Sequence, residues 1–70
     1  MEELRAPMVG RIIEVLVEPG AGVDEEDEVL VLESMKMQIP ITAPRGGTIA
    51  GVHVKPGDTV QEGDLLLVLE

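Results

Sequence analysis

The sequence predicts an all-β domain, and three features support this prediction. Short apolar stretches alternate with polar residues at a period of two, Gly and Pro interrupt them along the whole chain, and the chain repeats itself once. With eight Gly and five Pro in 70 residues, no window keeps the apolar stripe of a helix for long. Many short strands separated by Gly and Pro turns are typical of a sandwich or a barrel.

The two halves of the chain are similar to each other at an offset of 37 residues. The half-repeats 6–33 and 43–70 align without a gap and share 15 of 28 residues, including an Ala-Pro start and a Leu-Val-Leu-Glu end. Two copies are too few for a solenoid, which needs about three repeats to bury its faces. We therefore expect one domain over residues 1–70, with its halves related by a pseudo-twofold axis.

Each half is predicted to contain an alternating strand and a continuous apolar strand. Mostly β-branched residues at 13, 15 and 17, and at 50, 52 and 54, alternate with the residues between them until a Pro-Gly pair, at 19–20 and 56–57, ends the strand. The runs 29–32 and 65–69 are apolar at both parities, which is typical of strands covered on both faces. The side chains expected to be buried together are Val15, Val17, Val23, Leu30, Val52, Val54, Val60 and Leu67.

Composition excludes several classes of protein. Five basic and fourteen acidic residues give a net charge of −9, which argues against nucleic-acid binding, and no aromatic residue is present to stack on bases. The absence of Cys excludes disulfides and thiolate metal sites. About a third of the residues are Leu, Ile or Val, more than in a disordered acidic chain. The acidic start lacks the apolar stretch of a signal peptide, and no run is long enough to span a membrane, so we expect a cytoplasmic protein.

Two polar features could suggest a metal or catalytic site, but both favour a simpler interpretation. Residues 24–28 are five consecutive acids, yet they lack the Gly and the distal Glu of a calcium-binding loop, so a solvated turn is expected. His53 lies between inward-facing positions and should point outward, without a Cys or a catalytic triad to join. We therefore expect no metal site and no catalytic activity of the chain alone.

Residues 34–42 lie between the repeats and predict a hairpin with its turn near Met35-Lys36. Tight hairpin turns need positive φ and favour Asn-Gly or Asp-Gly, so two long side chains are unusual there. Their presence suggests selection for something other than stability. On composition alone Lys36 would be an ordinary solvated lysine, as Lys55 is expected to be. We expect Met35 and Met37 to be exposed as a contact surface rather than to fill the core.

The segment Glu33-Ser34-Met35-Lys36-Met37 resembles the attachment motif of biotinyl domains, the biotin carboxyl carrier family, in which the Lys of Met-Lys-Met carries biotin. Segments 6–10, 39–41 and 57–60 are similar to matching parts of the family, so that the resemblance covers essentially the whole chain. Within the family, the chain resembles the short free-standing biotin/lipoyl attachment proteins. It also resembles those biotinyl domains of carboxylases that lack an inserted "thumb" in the first half.

The resemblance implies a fold and a function. The fold would be a flattened β-barrel, or barrel-sandwich hybrid, of two four-stranded antiparallel sheets, with Lys36 on a protruding hairpin. A biotin protein ligase would attach biotin covalently to Lys36, with Met35 and Met37 as flanking residues and Glu33 and Ser34 as the lead-in. The domain would then shuttle carboxybiotin between a biotin carboxylase site and a carboxyltransferase site, as a monomeric carrier and not as an enzyme.

Two other functions remain open. Lipoyl carrier domains share the fold and the hairpin lysine, but they usually show Asp-Lys-Ala where this chain has Met35-Lys36-Met37. A non-carrier interaction module with an unused Lys36 is the second alternative. The Met flanks favour biotin over lipoate.

Overall fold

The computed structural model describes all 70 residues and confirms an all-β fold with eight strands and no helix. The strands form two four-stranded antiparallel sheets, in the orders β1-β8-β6-β3 and β5-β4-β2-β7, that enclose the core of a flattened barrel about 30 Å long. No helix suited to crossing a membrane occurs. The strands are β1 Glu2–Arg5, β2 Gly10–Val15, β3 Gly22–Val23, β4 Glu28–Ser34, β5 Met37–Thr42, β6 Gly47–Val52, β7 Thr59–Val60 and β8 Leu65–Leu69.

The two sheets correspond to each other strand by strand, and equivalent residues are 37 positions apart in the sequence. Strands β2, β3 and β4 correspond to β6, β7 and β8, and the two halves exchange hydrogen bonds reciprocally. The amide of Ile12 donates to the carbonyl oxygen of Asp58 at 2.8 Å, and the equivalent amide of Ile49 donates to that of Ala21 at 2.8 Å. Reciprocal contacts of this kind are the mark of a twofold relation. The predicted pseudo-twofold axis is therefore present.

Strand β1 extends this relation beyond the half-repeats visible in the sequence. Glu2 pairs with Leu69, and the equivalent residue Ile39 pairs with Leu32 in the same register. Residues 2–5 thus match 39–42, although they share no identical residue. Only residues 34–37 lack a counterpart among the 70 residues, since Gln38 corresponds to Met1. The pseudo-twofold axis consequently relates the β4–β5 hairpin to the paired chain ends.

Bulges explain why consecutive residues of the continuous apolar runs are buried together, instead of every second one. The register of β4 against β5 shifts at Val29, and that of β8 against β1 shifts at the equivalent residue Leu66. A bulge inserts one unpaired residue and bends the strand, which interrupts the strict alternation of sides. As a result Val29 and Leu30 are both fully buried, and so are Leu66 and Leu67.

The predicted core is confirmed for half of its members. Val23, Leu30, Val60 and Leu67 are buried, whereas Val15, Val17, Val52 and Val54 are only half-buried at the edge of the core. This part of the prediction was wrong because β2 and β6 end at 15 and 52, after further bulges at 13 and 50. The full core is Ala6, Ile12, Val23, Val29, Leu30, Leu32, Ile41, Ala43, Ile49, Val60, Leu66, Leu67 and Leu69.

Truncating Leu30 or its equivalent Leu67 to Ala should lower the free energy of unfolding by about 2–5 kcal/mol, because each change leaves a cavity in the core. The same truncation at Leu16, which is 45% exposed, should cost far less. Urea unfolding followed by circular dichroism measures all three. Equal losses at Leu16 and Leu30 would contradict the assigned core.

The turn after β3 generates a second prediction. Glu26 has a φ of 72°, and the equivalent residue of the other half is Gly63, with a φ of 88°. A Cβ atom is disfavoured in this left-handed region, whereas Gly adopts it without strain. Glu26→Gly should therefore raise the free energy of unfolding by roughly 0.5–1 kcal/mol, and Gly63→Ala should lower it. Thermal unfolding of both variants checks this, and a destabilised Glu26→Gly variant would refute it.

Candidate functional site at the β4–β5 hairpin

The predicted hairpin is confirmed, and its loop contains only two residues. Ser34 at the end of β4 pairs with Met37 at the start of β5, so that Met35 and Lys36 alone form the turn. Their φ angles are 54° and 66°. Positive φ at both central residues defines the type I′ turn, whose twist matches that of the flanking strands.

This turn carries backbone strain at the candidate residue itself. A non-Gly residue in the left-handed region costs roughly 1–2 kcal/mol, and Met35 and Lys36 are consecutive. Asn-Gly would form the same turn with less strain. Strain of this kind persists where the surrounding structure imposes it and is concentrated at functional sites.

The three side chains of the tip point into solvent. Met35 is 91% exposed and Met37 is 65% exposed, which confirms that neither fills the core. Lys36 is also exposed and takes part in none of the ion pairs of the structure. By contrast, the ammonium nitrogen of Lys55 lies 4.0 Å from a carboxylate oxygen of Asp58, in a solvent-exposed pair. The hairpin thus presents one free primary amine between two exposed thioethers.

The base of the hairpin is held by β2 and by the core. Glu33 and Ser34 are half-buried, and Leu32, three residues before Met35, is fully buried. Gly10 lies so close to this segment that a Cβ atom on it would be 2.6 Å from the carbonyl oxygen of Glu33. Sequence reasoning missed this contact, although the occurrence of Gly at both 10 and 47 in the repeat was a signal of it.

The other polar features have the predicted structure. Residues 24–28 are all exposed, and a carboxylate oxygen of Asp27 accepts a hydrogen bond from the amide of Asp24 at 2.9 Å, which closes the acidic turn. His53 is exposed, as expected from its neighbours. No group of three or more His, Cys, Asp or Glu side chains is placed to hold a metal ion.

The surface has two open grooves, which the pseudo-twofold axis relates. One of about 310 Å³ is lined by residues 15–18 and Ala21, and the other of about 270 Å³ by residues 52–55 and Asp58. The hairpin tip contributes to neither groove. Neither groove of this protein therefore encloses the amine of Lys36.

Comparison with models of known protein families shows the family to which the chain belongs. The family described as "Biotin-requiring enzyme", whose name combines biotin and lipoyl, matches residues 2–69. The chain belongs to this biotin/lipoyl family. The match covers both half-repeats and the hairpin between them, so that it rests on the whole barrel, and the resemblance to biotinyl domains is confirmed.

Individual proteins agree with this membership. The biotinylated protein TB7.3 of Mycobacterium tuberculosis is 48% identical over 42 residues, which are 60% of this chain and 59% of that protein. The chain therefore spans less than two thirds of the length of the curated relative that it matches. Among solved structures, a single-chain, multi-domain long-chain acyl-CoA carboxylase is 41% identical with a TM-score of 0.88, over 94% of this chain and 6% of that one.

A lipoyl domain is also similar. The lipoyl domain of the 2-oxoglutarate dehydrogenase complex from Azotobacter vinelandii superimposes with a TM-score of 0.86 at 26% identity, over 100% of this chain and 96% of that one. The barrel by itself therefore does not distinguish a biotinyl domain from a lipoyl domain. The residues at the tip must do so.

The strained turn predicts how substitutions at the tip affect stability. Lys36→Gly should raise the free energy of unfolding by about 1 kcal/mol because Gly relieves the strain at positive φ. Lys36→Arg should leave it within about 0.5 kcal/mol, because Arg keeps the Cβ atom and the exposure. Chemical denaturation of both variants provides the measurement. A Lys36→Arg protein that does not fold would show that Lys36 has a structural role.

Proposed function

We propose that this domain is a biotin carboxyl carrier whose Lys36 is modified by a biotin protein ligase. The observation that carries the proposal is the position of Lys36: an exposed amine on a two-residue turn, flanked by Met35 and Met37, in a barrel of the biotin/lipoyl family. The similarity to a segment of an acyl-CoA carboxylase supports a role in a carboxylase.

The residues of the tip fit covalent attachment. In its neutral form the Nζ atom of Lys36 attacks the carboxyl carbon of biotin that the ligase has activated as an adenylate. An amide bond forms, AMP leaves with the electrons of the broken bond, and the nitrogen gives up a proton to the surroundings. Because the side chain is exposed and its amine is not paired with a carboxylate, the ligase can enclose it without breaking an existing contact.

The chain then acts as a tether. Lys36 would hold the biotin, which would supply the carboxyl-carrying chemistry, while it is loaded in a biotin carboxylase site and unloaded in a carboxyltransferase site. The barrel keeps Lys36 at the end of a rigid hairpin, and covalent attachment maintains a high effective concentration at each site. In this proposal the partners are the biotin carboxylase and carboxyltransferase components. The domain is a monomeric, cytoplasmic subunit or accessory without catalytic activity of its own.

The two alternatives are weaker on specific grounds. Lipoate attachment is compatible with the barrel, but Met35 and Met37 replace the residues that usually flank a lipoyl lysine. An interaction module that does not use Lys36 gives no reason for a turn with two strained residues, since Asn-Gly would stabilise the same hairpin. A lysine needed for its amine gives such a reason.

Incubation with ATP, biotin and a biotin protein ligase should add one biotinyl group, on Lys36 and not on Lys55. Both lysines are exposed, but Lys36 is on a hairpin tip, whereas Lys55 precedes a Pro-Gly turn and lies beside Asp58. Intact mass and peptide mapping give the number and position of the groups. Lys36→Arg should abolish labelling, and the matched variant Lys55→Arg should keep it.

Lipoate ligase under parallel conditions should modify the chain poorly. Biotin on Lys55, or none while a known carrier protein is labelled in the same reaction, would refute the proposed function. Efficient lipoylation without biotinylation would establish the lipoyl alternative instead.

A further inference from the structure

Of the eight glycines in the protein, Gly10 makes the closest approach to a neighbouring strand, at the base of the hairpin. A Cβ atom on Gly10 would lie 2.6 Å from the carbonyl oxygen of Glu33 and 2.8 Å from Cδ1 of Leu32, closer than Cβ atoms come to other atoms in folded proteins. Neither neighbour can yield easily, because one is backbone and the other is a fully buried side chain. Any side chain at position 10 must therefore change the separation between β2 and the end of β4.

A shift of the Glu33 backbone also shifts the backbone of Lys36. Glu33 pairs with Gln38 and Ser34 pairs with Met37, and the turn between them has only two residues, both at positive φ. A tight turn without spare residues transmits a shift of its base to its tip. The position of the Lys36 backbone thus depends on the approach that Gly10 allows.

We infer that Gly10 is a positioning residue for the modification of Lys36. Gly10 acts by letting β2 lie close to the carbonyl oxygen of Glu33. This close packing keeps the hairpin in the position and orientation in which the ligase accepts the amine of Lys36. The inference rests on the proposed function, since it concerns the same attachment step. A misplacement of about 1 Å can reduce the rate of such a transfer about a hundredfold.

The pseudo-twofold axis supplies a matched control. Gly47 occupies the position equivalent to Gly10, and a Cβ atom on it would lie 2.9 Å from the carbonyl oxygen of Glu70, 3.3 Å from Cγ of Leu69 and 2.8 Å from Nη1 at the far end of the Arg45 side chain. Gly47→Ala therefore introduces the same methyl group against the same type of strand end, beside the chain terminus instead of the hairpin. A general effect of crowding in the barrel should appear in both variants.

The experiment compares Gly10→Ala and Gly47→Ala as substrates of a biotin protein ligase. Both are made in a Glu26→Gly parent to keep them folded. All three proteins are assayed below their unfolding temperatures. We expect kcat for biotinylation of Gly10→Ala to fall about tenfold to a hundredfold with little change in KM, while Gly47→Ala matches the parent. Acetylation of Lys36 by a small amine-reactive reagent, with Lys55 as internal reference, should be equal in all three proteins, because it requires exposure and not position.

Three outcomes would overturn the inference. Equal kcat values for the two variants would show that Gly10 does not position the tip. Slower acetylation of Lys36 in Gly10→Ala would show that the substitution hides the amine. A Gly10→Ala protein that does not fold would make Gly10 a structural residue only. Failure of the parent to be labelled beside a known carrier would instead refute the proposed function, so that the two failures are distinguishable.

Discussion

The structure depends on the burial of the apolar side chains that each half of the chain presents to the other. The core consists of thirteen aliphatic residues without an aromatic ring or a buried polar group. Neither half could form this core alone, because β3 completes the sheet of the second half and β7 completes that of the first. Because each half contributes one strand to the sheet of the other, the two halves fold together. A small chain can thereby enclose one continuous core.

The pseudo-twofold axis gives the barrel two equivalent ends, and the chain uses them differently. At one end β4 and β5 are joined by the hairpin, and at the other the equivalent strands β8 and β1 carry the chain ends. The turn between β4 and β5 is therefore the one connection between consecutive strands that has no equivalent in the other half. The four pairs between β1 and β8 recur between β5 and β4, which adds two further pairs, at Glu33 and Ser34, that extend the ladder to the turn.

The strain at Met35 and Lys36 is tolerated because of this support. Ladder pairing up to Ser34 and Met37 leaves only two residues to close the turn, and the primed turns that suit such a short loop require positive φ. A flexible loop would avoid the strain but would not hold the amine in a defined place. In the proposed carrier, flexibility belongs to the side chain of Lys36 and rigidity belongs to the backbone that presents it.

The sequence by itself determined the all-β class, the twofold relation and the hairpin at Met35-Lys36, because these features follow from periodicity, an ungapped repeat and local turn chemistry. It did not reveal β1, since Glu2–Arg5 shares no residue with its counterpart and is defined only by pairing with β8. Nor did it place the half-buried valines at 15, 17, 52 and 54, because bulges shift the alternation of sides. The approach of Gly10 to Glu33 was likewise decided by the tertiary structure, since it joins residues on different strands whose separation only the packed barrel fixes.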